Sequence, residues 1–268
     1  VDAVADINSY LDTASNIQYT GASNANGNDA ATLTIAVTDG TDSAANNDVN
    51  IDITAVNDDP TISGLAADVT VTEDTASNLD LSASAIADVD STGTITTYLI
   101  ASAGTLAATS GGSVTVSGSG SGTLTLSGTI ANINTFLDTA SNVTYTGASN
   151  ANGNDAATLT VRANDGDGSG NVDLGTVNLD ITAVNDDPEI SGLASDVTVT
   201  EDTASNLDLS ASAFSDVDSS GTVTVYLIAG AGTMTATSGG SVTVGGSGTG
   251  TLSLSGTFTN INTFLDTA

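Results

Sequence analysis

Residues 137–161 read Leu-Asp-Thr-Ala-Ser-Asn-Val-Thr-Tyr-Thr-Gly-Ala-Ser-Asn-Ala-Asn-Gly-Asn-Asp-Ala-Ala-Thr-Leu-Thr-Val. Within this stretch Val143-Thr-Tyr145 and Ala157-Thr-Leu-Thr-Val161 alternate apolar and polar side chains, the period of a half-buried strand, and the Gly, Ser, Asn and Asp between them are turn formers. The same alternation extends outward through Val69-Thr-Val-Thr72, Leu79-Asp-Leu81, Thr94 to Ile100, Val114-Thr-Val116, Thr123 to Leu126 and Val177 to Ile181. Thr and Val dominate these segments and turn residues punctuate them at short intervals. This predicts an all-β, antiparallel β-sandwich rather than a helical or βαβ fold. One segment departs from it: in Ile130-Ala-Asn-Ile-Asn-Thr-Phe-Leu137 the residues Ile130, Ile133, Phe136 and Leu137 recur at helical spacing. The pattern predicts one short helix per repeat, covering an end of the sandwich.

The stretch is also duplicated. Leu11 to Thr34 recurs as Leu137 to Thr160, differing only at Ile17/Val143 and Gln18/Thr144. Ala55-Val-Asn-Asp-Asp-Pro60 recurs as Ala183 to Pro188, Val71 to Leu81 as Val199 to Leu209, and Ile133-Asn-Thr-Phe-Leu-Asp138 as Ile261 to Asp266, with the variant Ile7-Asn-Ser-Tyr-Leu-Asp12 upstream. Such self-similarity marks a tandem array. With Pro60 and Pro188 opening units, residues 1–59 are the C-terminal part of one repeat, 60–187 a complete repeat and 188–268 the N-terminal part of another. Segments 15–59 and 188–268 together amount to one repeat cut open, so the chain is expected to be a piece of something longer, joined to neighbouring copies of the repeat in a head-to-tail fibre. A peptide bond within a longer polypeptide is the expected join, ahead of strand complementation between subunits.

Composition narrows the chemistry. The chain of 268 residues holds 32 acidic side chains against one basic one, Arg162, with no Cys, His, Lys or Trp, for a net charge of -31. Without His or Cys there is no Ser-His or Cys-His pair and no ordinary zinc site, and without Lys there is no Schiff base or P-loop lysine. An enzyme is not expected. The charge repels nucleic acid and the anionic cytoplasmic membrane face, and it favours divalent cations that take hard oxygen ligands. With 39% hydrophobic residues the chain has the material for a core, and no stretch reaches the length of a membrane helix, so no direct membrane insertion is expected.

The acids fall at regular places. Asn57-Asp58-Asp59-Pro60 and Asn185-Asp186-Asp187-Pro188 lie between the last strand of one unit and the first of the next. There the proline stiffens the linker, and the Asn and Asp oxygens suit a cation needing six to eight hard ligands. Downstream come Asp88-Val-Asp90 and Asp216-Val-Asp218, whose alternate spacing can direct both carboxylates to one point. Between linker and pair lies Glu73, or Glu201 in the second copy. Asp39-Gly40 and Asp165-Gly166 follow strands that end at a tip. Tracing the chain up and down puts Asp88, Asp90 and Asp165 beside the preceding linker and Glu73 beside the following one. Each acid also has a plainer reading: Asn-Asp-Asp-Pro as a turn, Glu73 as a strand-end acid, Asp138 as a helix-terminal residue. Asn150 to Asp155 reads as a tight turn, because it lacks the downstream Glu of an EF-hand loop.

In their order, Val71-Thr-Glu73-Asp, Ala87-Asp88-Val-Asp90, Leu137-Asp138, Thr160 to Asp165-Gly and Val184-Asn185-Asp186-Asp187-Pro188 resemble cadherin-type repeats. Their cadence is similar to the cadherin-like tandem repeats of giant bacterial surface adhesins of the RTX type. The resemblance covers essentially the whole repeat and implies Greek-key β-sandwiches of the cadherin and immunoglobulin-like kind. It further implies Ca2+ at each junction, held by the upstream Glu, the linker Asn and Asp, and the downstream Asp-x-Asp and Asp-Gly. The sequence departs from the pattern at Leu137-Asp138-Thr-Ala, which lacks a second acid, and in a Gly- and Ser-rich insertion from Ala103 to Thr129. The expected function is that of an extracellular, calcium-rigidified shaft on the bacterial cell surface. The alternative is an adhesion module whose insertion contacts a glycan or a cell-surface target.

Overall fold

The structure, a computed structural model, describes residues 4–168 and 170–267. Its regular secondary structure is mostly strand. The first fifty-nine residues hold helix α1 (Val4–Leu11) and strands β1 (Gly27–Ile35) and β2 (Asn47–Ile53). The complete repeat follows with β3 (Thr61–Ser63), β4 (Asp68–Thr72), β5 (Ser77–Asn78), β6 (Ala85–Ala87), β7 (Ile95–Ala101), β8 (Thr105–Ala108), β9 (Thr115–Ser117), β10 (Thr123–Gly128), α2 (Ile130–Leu137), β11 (Val143–Thr146), β12 (Gly153–Asn164) and β13 (Val172–Thr182). The last part contains β14 (Glu189–Ser191), β15 (Ala213–Ser215), β16 (Val223–Ile228), β17 (Thr243–Gly245), β18 (Thr251–Gly256) and α3 (Phe258–Asp266). Contacts divide the chain into two compact units. One comprises Val1–Val71, Thr75–Ala148 and Asn154–Ile181; the other comprises Thr72–Asp74, Ser149–Gly153 and Thr182–Ala268.

In the first unit a six-stranded sheet runs β4-β13-β12-β7-β10-β9, with a three-stranded sheet β5-β11-β8 and the pairs β3-β6 and β1-β2. Period-two patterning decides which side chains go inside. Ile95 and Leu99 of β7, Leu124 and Leu126 of β10, Leu159 and Val161 of β12, and Val177 and Leu179 of β13 are all buried, while their sequence neighbours are not. The antiparallel register sets Val161 against Leu99 and Leu124 against Leu99 from the other side, which aligns the apolar rows of three strands. Burying one such Leu or Val contributes roughly 1.5–3 kcal/mol. Arg162, facing the other way, pairs with Asp173 of β13, its Nη2 lying 3.3 Å from Asp173 Oδ2.

Helix α2 starts where Thr129 Oγ1 accepts the Asn132 N–H at 3.3 Å and buries Ile133, Phe136 and Leu137, three of the four residues that the helical spacing singled out. Its Asn134 side chain bonds the N–H and C=O of Ile86 at 3.0 and 2.9 Å, fixing the helix to β6. The second unit repeats the device with Thr257, Asn260, and Asn262 on Phe214. Its core is small: Val242, Leu254, Ile261 and Leu265 are buried, with Leu209, Phe214, Val223, Val225 and Leu227 only partly covered. Among the described residues before Pro60 none is buried, and α1 and the β1-β2 ribbon expose Ile7, Leu11, Leu33, Ile35 and Val49.

Candidate metal centre

The linker acids and the Asp-x-Asp acids meet twice, once in each unit. In the first unit the Asp58 N–H donates to Asp90 Oδ2 at 3.1 Å, and the Asn57 side-chain amide donates to Asp165 Oδ2 at 2.9 Å. Asp88 Oδ1 receives the N–H groups of Asp90 and Ser91, at 3.1 and 2.9 Å, so the loop turns back on its own carboxylate. Asp165 is almost fully buried and sits just past the end of β12, where Asp167 N–H caps its other oxygen at 3.0 Å. The Asn57 amide, and next the Asp167 N–H, hold its carboxyl below the usual carboxylate range. Two carboxylate oxygens here, Asp88 Oδ2 and Asp90 Oδ1, are buried and accept no hydrogen bond.

The second unit holds the corresponding linker. The Asp186 N–H donates to Asp218 Oδ2 at 2.6 Å, thirty-two residues away as in the first cluster, and Asp216 Oδ1 receives Asp218 and Ser219 N–H at 2.9 Å each. Glu73 enters this cluster with no exposed surface. Its backbone N–H bonds Thr182 O at 2.9 Å, and its carboxylate receives Val184 N–H at 3.1 Å and the Asn152 amide at 3.4 Å on both oxygens. Those partners are neutral dipoles, and no cationic side chain is among them. Asp186 Oδ2 is buried without a partner. Burial, and then the charges of Asp74, Asp218, Glu73 and Asp216, push the Asp186 carboxyl up from its ordinary value.

A third cluster lies on the six-stranded sheet. Asp68 of β4, Asp155 of β12 and Asp180 of β13 bring carboxylate oxygens within 4.8 Å of one another and are placed so that they can hold a metal ion. Asp155 adopts φ +52°, which turns its N–H onto Asp180 Oδ1 at 2.8 Å, and Asn178 steadies Asp68 Oδ1 at 3.2 Å. The turn Asp29 repeats the conformation at φ +56° and bonds Asp52 at 2.9 Å.

The remaining expected ligands lie elsewhere. Asp39 closes its own turn, accepting Thr41 and Asp42 N–H groups and the Thr41 hydroxyl at 2.8–2.9 Å, which lowers its carboxyl to about 2. Asp138 caps the C-terminus of α2, with its N–H on Asn134 O and Phe136 O, so the helix-terminal reading describes its backbone. Asn185 donates to Asp186 O at 2.8 Å, while Asp59, Asp187 and Glu201 are exposed. Sequence reasoning missed Asn152, Asp74 and the Asp68–Asp155–Asp180 triad. Asn152 lies in the Asn-rich turn that reads as a plain turn. The triad joins positions far apart in the chain, and its only sequence trace is the recurrence of Asp29, Asp52 and Asp196 at the matching places.

No protein family matches the chain, and none of the curated proteins does.

Proposed function

We propose that the chain is a stretch of an extracellular, calcium-rigidified shaft built of cadherin-like Greek-key β-sandwiches on a bacterial surface, with a structural and not a catalytic role. The observation that carries the reading is the Glu73 cluster: a carboxylate with no exposed surface whose charge acts on Asp186, where Oδ2 is buried and unbonded, with Asp218 receiving the Asp186 N–H and Asp216 closing the same loop. Taking an ionised carboxylate out of water costs several kcal/mol in practice unless opposite charge or hydrogen bonds compensate it, and here only neutral dipoles are at hand. Hard oxygens in this number fit calcium better than a transition metal, and no His or Cys stands near to favour one. Glu73, Asp186, Asp216 and Asp218 would hold an ion in one cluster, and Asp88, Asp90, Asp165 and Asn57 in the other. When bound, calcium supplies the positive charge that lets these carboxylates lie together. The residues themselves supply the stiffness: the Asp58 and Asp186 N–H groups already tie each linker to its Asp-x-Asp loop, and neutralised carboxylates keep those ties closed.

Calcium titration of the metal-free protein by calorimetry, with melting and small-angle scattering in calcium and in chelator, tests the reading. Binding, a melting temperature several degrees higher in calcium, and a scattering profile that loosens in chelator are expected. Identical melting and scattering curves in the two conditions overturn it.

A further inference from the structure

The sequence holds two Asn-Gly pairs, Asn26-Gly27 and Asn152-Gly153, and both lie in the repeated turn Asn-Ala-Asn-Gly-Asn-Asp. The backbone of the turn is the same each time: Asn24 and Asn150 sit at φ +60° and +59°, Gly27 and Gly153 at +111° and +116°, Asp29 and Asp155 at +56° and +52°. Asn152 stands between β11, which ends at Thr146, and β12, which starts at Gly153. Its side-chain Nδ2 lies 3.4 Å from both oxygens of Glu73, and Glu73 in turn accepts the linker N–H of Val184. In the first unit Asn26 lines a hollow together with Asp58 and Asp90. Each pair therefore stands beside linker acids, where exchanging an amide for a carboxylate changes the charge of the cluster.

Asn followed by Gly is the dipeptide most prone to lose ammonia, because glycine has no side chain to shield its nitrogen or to restrict the backbone around it. The turn suits this reaction. Asn152 belongs to neither strand, and a separation of 3.4 Å is longer than an ordinary N–H···O bond, so Glu73 steers the amide without locking it.

We propose that Asn152 is a site of spontaneous deamidation that sets a new carboxylate against Glu73, so that the linker cluster gains charge as the protein ages. Gly153 N attacks Asn152 Cγ. The new N–Cγ bond closes a cyclic imide, the Cγ–Nδ2 bond breaks, and the amide nitrogen leaves as ammonia with the proton from Gly153. Water then opens the ring. Attack at Cγ restores the ordinary main chain with aspartate at this position, and attack at the main-chain carbonyl carbon gives the isoaspartyl form, whose chain runs through the former side chain. Nothing is oxidised or reduced, and water is the only co-reactant. Either product replaces a donor to Glu73 by an acceptor. Without a cation two carboxylates then face each other where Glu73 has no exposed surface, which weakens the fold. With a divalent cation the same oxygen is a further hard ligand, and added ligand charge tightens such sites. The conversion stands on its own; its effect on ion affinity rests on the calcium reading.

The full chain, kept in chelator at mildly alkaline pH and sampled over weeks, tests the conversion. Peptide mapping by mass spectrometry should find residue 152 converted to a mixture of aspartyl and isoaspartyl forms. Asn152→Gln, whose imide ring is larger and slower to close, should leave the same peptide unchanged. Asn152→Asp, the product made directly, should melt below the wild type in chelator and bind calcium about tenfold more tightly in a calorimetric titration. A chain in which residue 152 is still an amide after an unfolded peptide of residues 149–156 has fully converted overturns the proposal. So does an Asn152→Asp chain that melts with the wild type in chelator. Conversion and a lowered melting temperature in a chain that binds no calcium would uphold the modification and sink the calcium reading alone.

Discussion

Glu73 and Asp186 carry charge in places where water is scarce, and their substitutions separate charge from shape. Glu73→Gln keeps the contacts to Val184 and Asn152 in outline and removes the charge. It should weaken calcium binding by at least about tenfold in a calorimetric titration while leaving the chelated protein's melting temperature unchanged or higher. For Asp186 the sign follows from its raised carboxyl. Ionisation is disfavoured in the fold, so the cost to stability is absent below the unfolded value of about 3.8 and grows as the pH rises through the folded value. In chelator at neutral pH, Asp186→Asn should therefore melt above the wild type, with the difference closing as the pH falls toward 3.8. In calcium the order should reverse. Asp39 is the opposite case, lowered to about 2 by three hydrogen bonds. Its contribution is complete above 3.8 and is lost as the pH drops through 2, and carbon NMR of its carboxyl should show a midpoint near 2, not near 3.8.

At the scale of elements, the turn into each repeat depends on glycine. Gly64 has φ +68° and an added Cβ would lie 2.0 Å from Ala83 O, and Gly192 repeats both features against Ala211 O at 1.9 Å. Gly64→Ala should cost roughly 2 kcal/mol or more in chemical unfolding, against about 1 kcal/mol for Thr129→Ala at the α2 cap. Strands and helix were legible because burial follows a local period: Val143 and Tyr145, or Ile133 and Leu137, declare their face within a few residues. The short strands β3, β5 and β6 were not, since two or three residues hold no period and exist only through their partners. Of the site, the pairing of Asp58 with Asp90 and of Asp186 with Asp218 could be anticipated from a repeated loop motif. The Asn152 contact and the triad of Asp68, Asp155 and Asp180 arise from strand order in the sheet, which no single segment encodes.

For the whole molecule the dominant quantity is a net charge of -31 with a single cation to oppose it. In chelator, added monovalent salt should raise the melting temperature steadily by screening the carboxylates from one another, and in saturating calcium the same series should be nearly flat. That single cation, Arg162, has a further consequence for how the molecule meets digestive enzymes. A protease that cuts after lysine or arginine finds one bond in the entire chain, between residues 162 and 163, near the C-terminal end of β12. There the backbone is laddered to β7 through Arg162 and Tyr98 and flanked by β13. Cleavage needs that strand drawn out into the open. The folded protein should outlast such an enzyme, and the moment at which fragments 1–162 and 163–268 first appear is a clock that times the departure of one central strand.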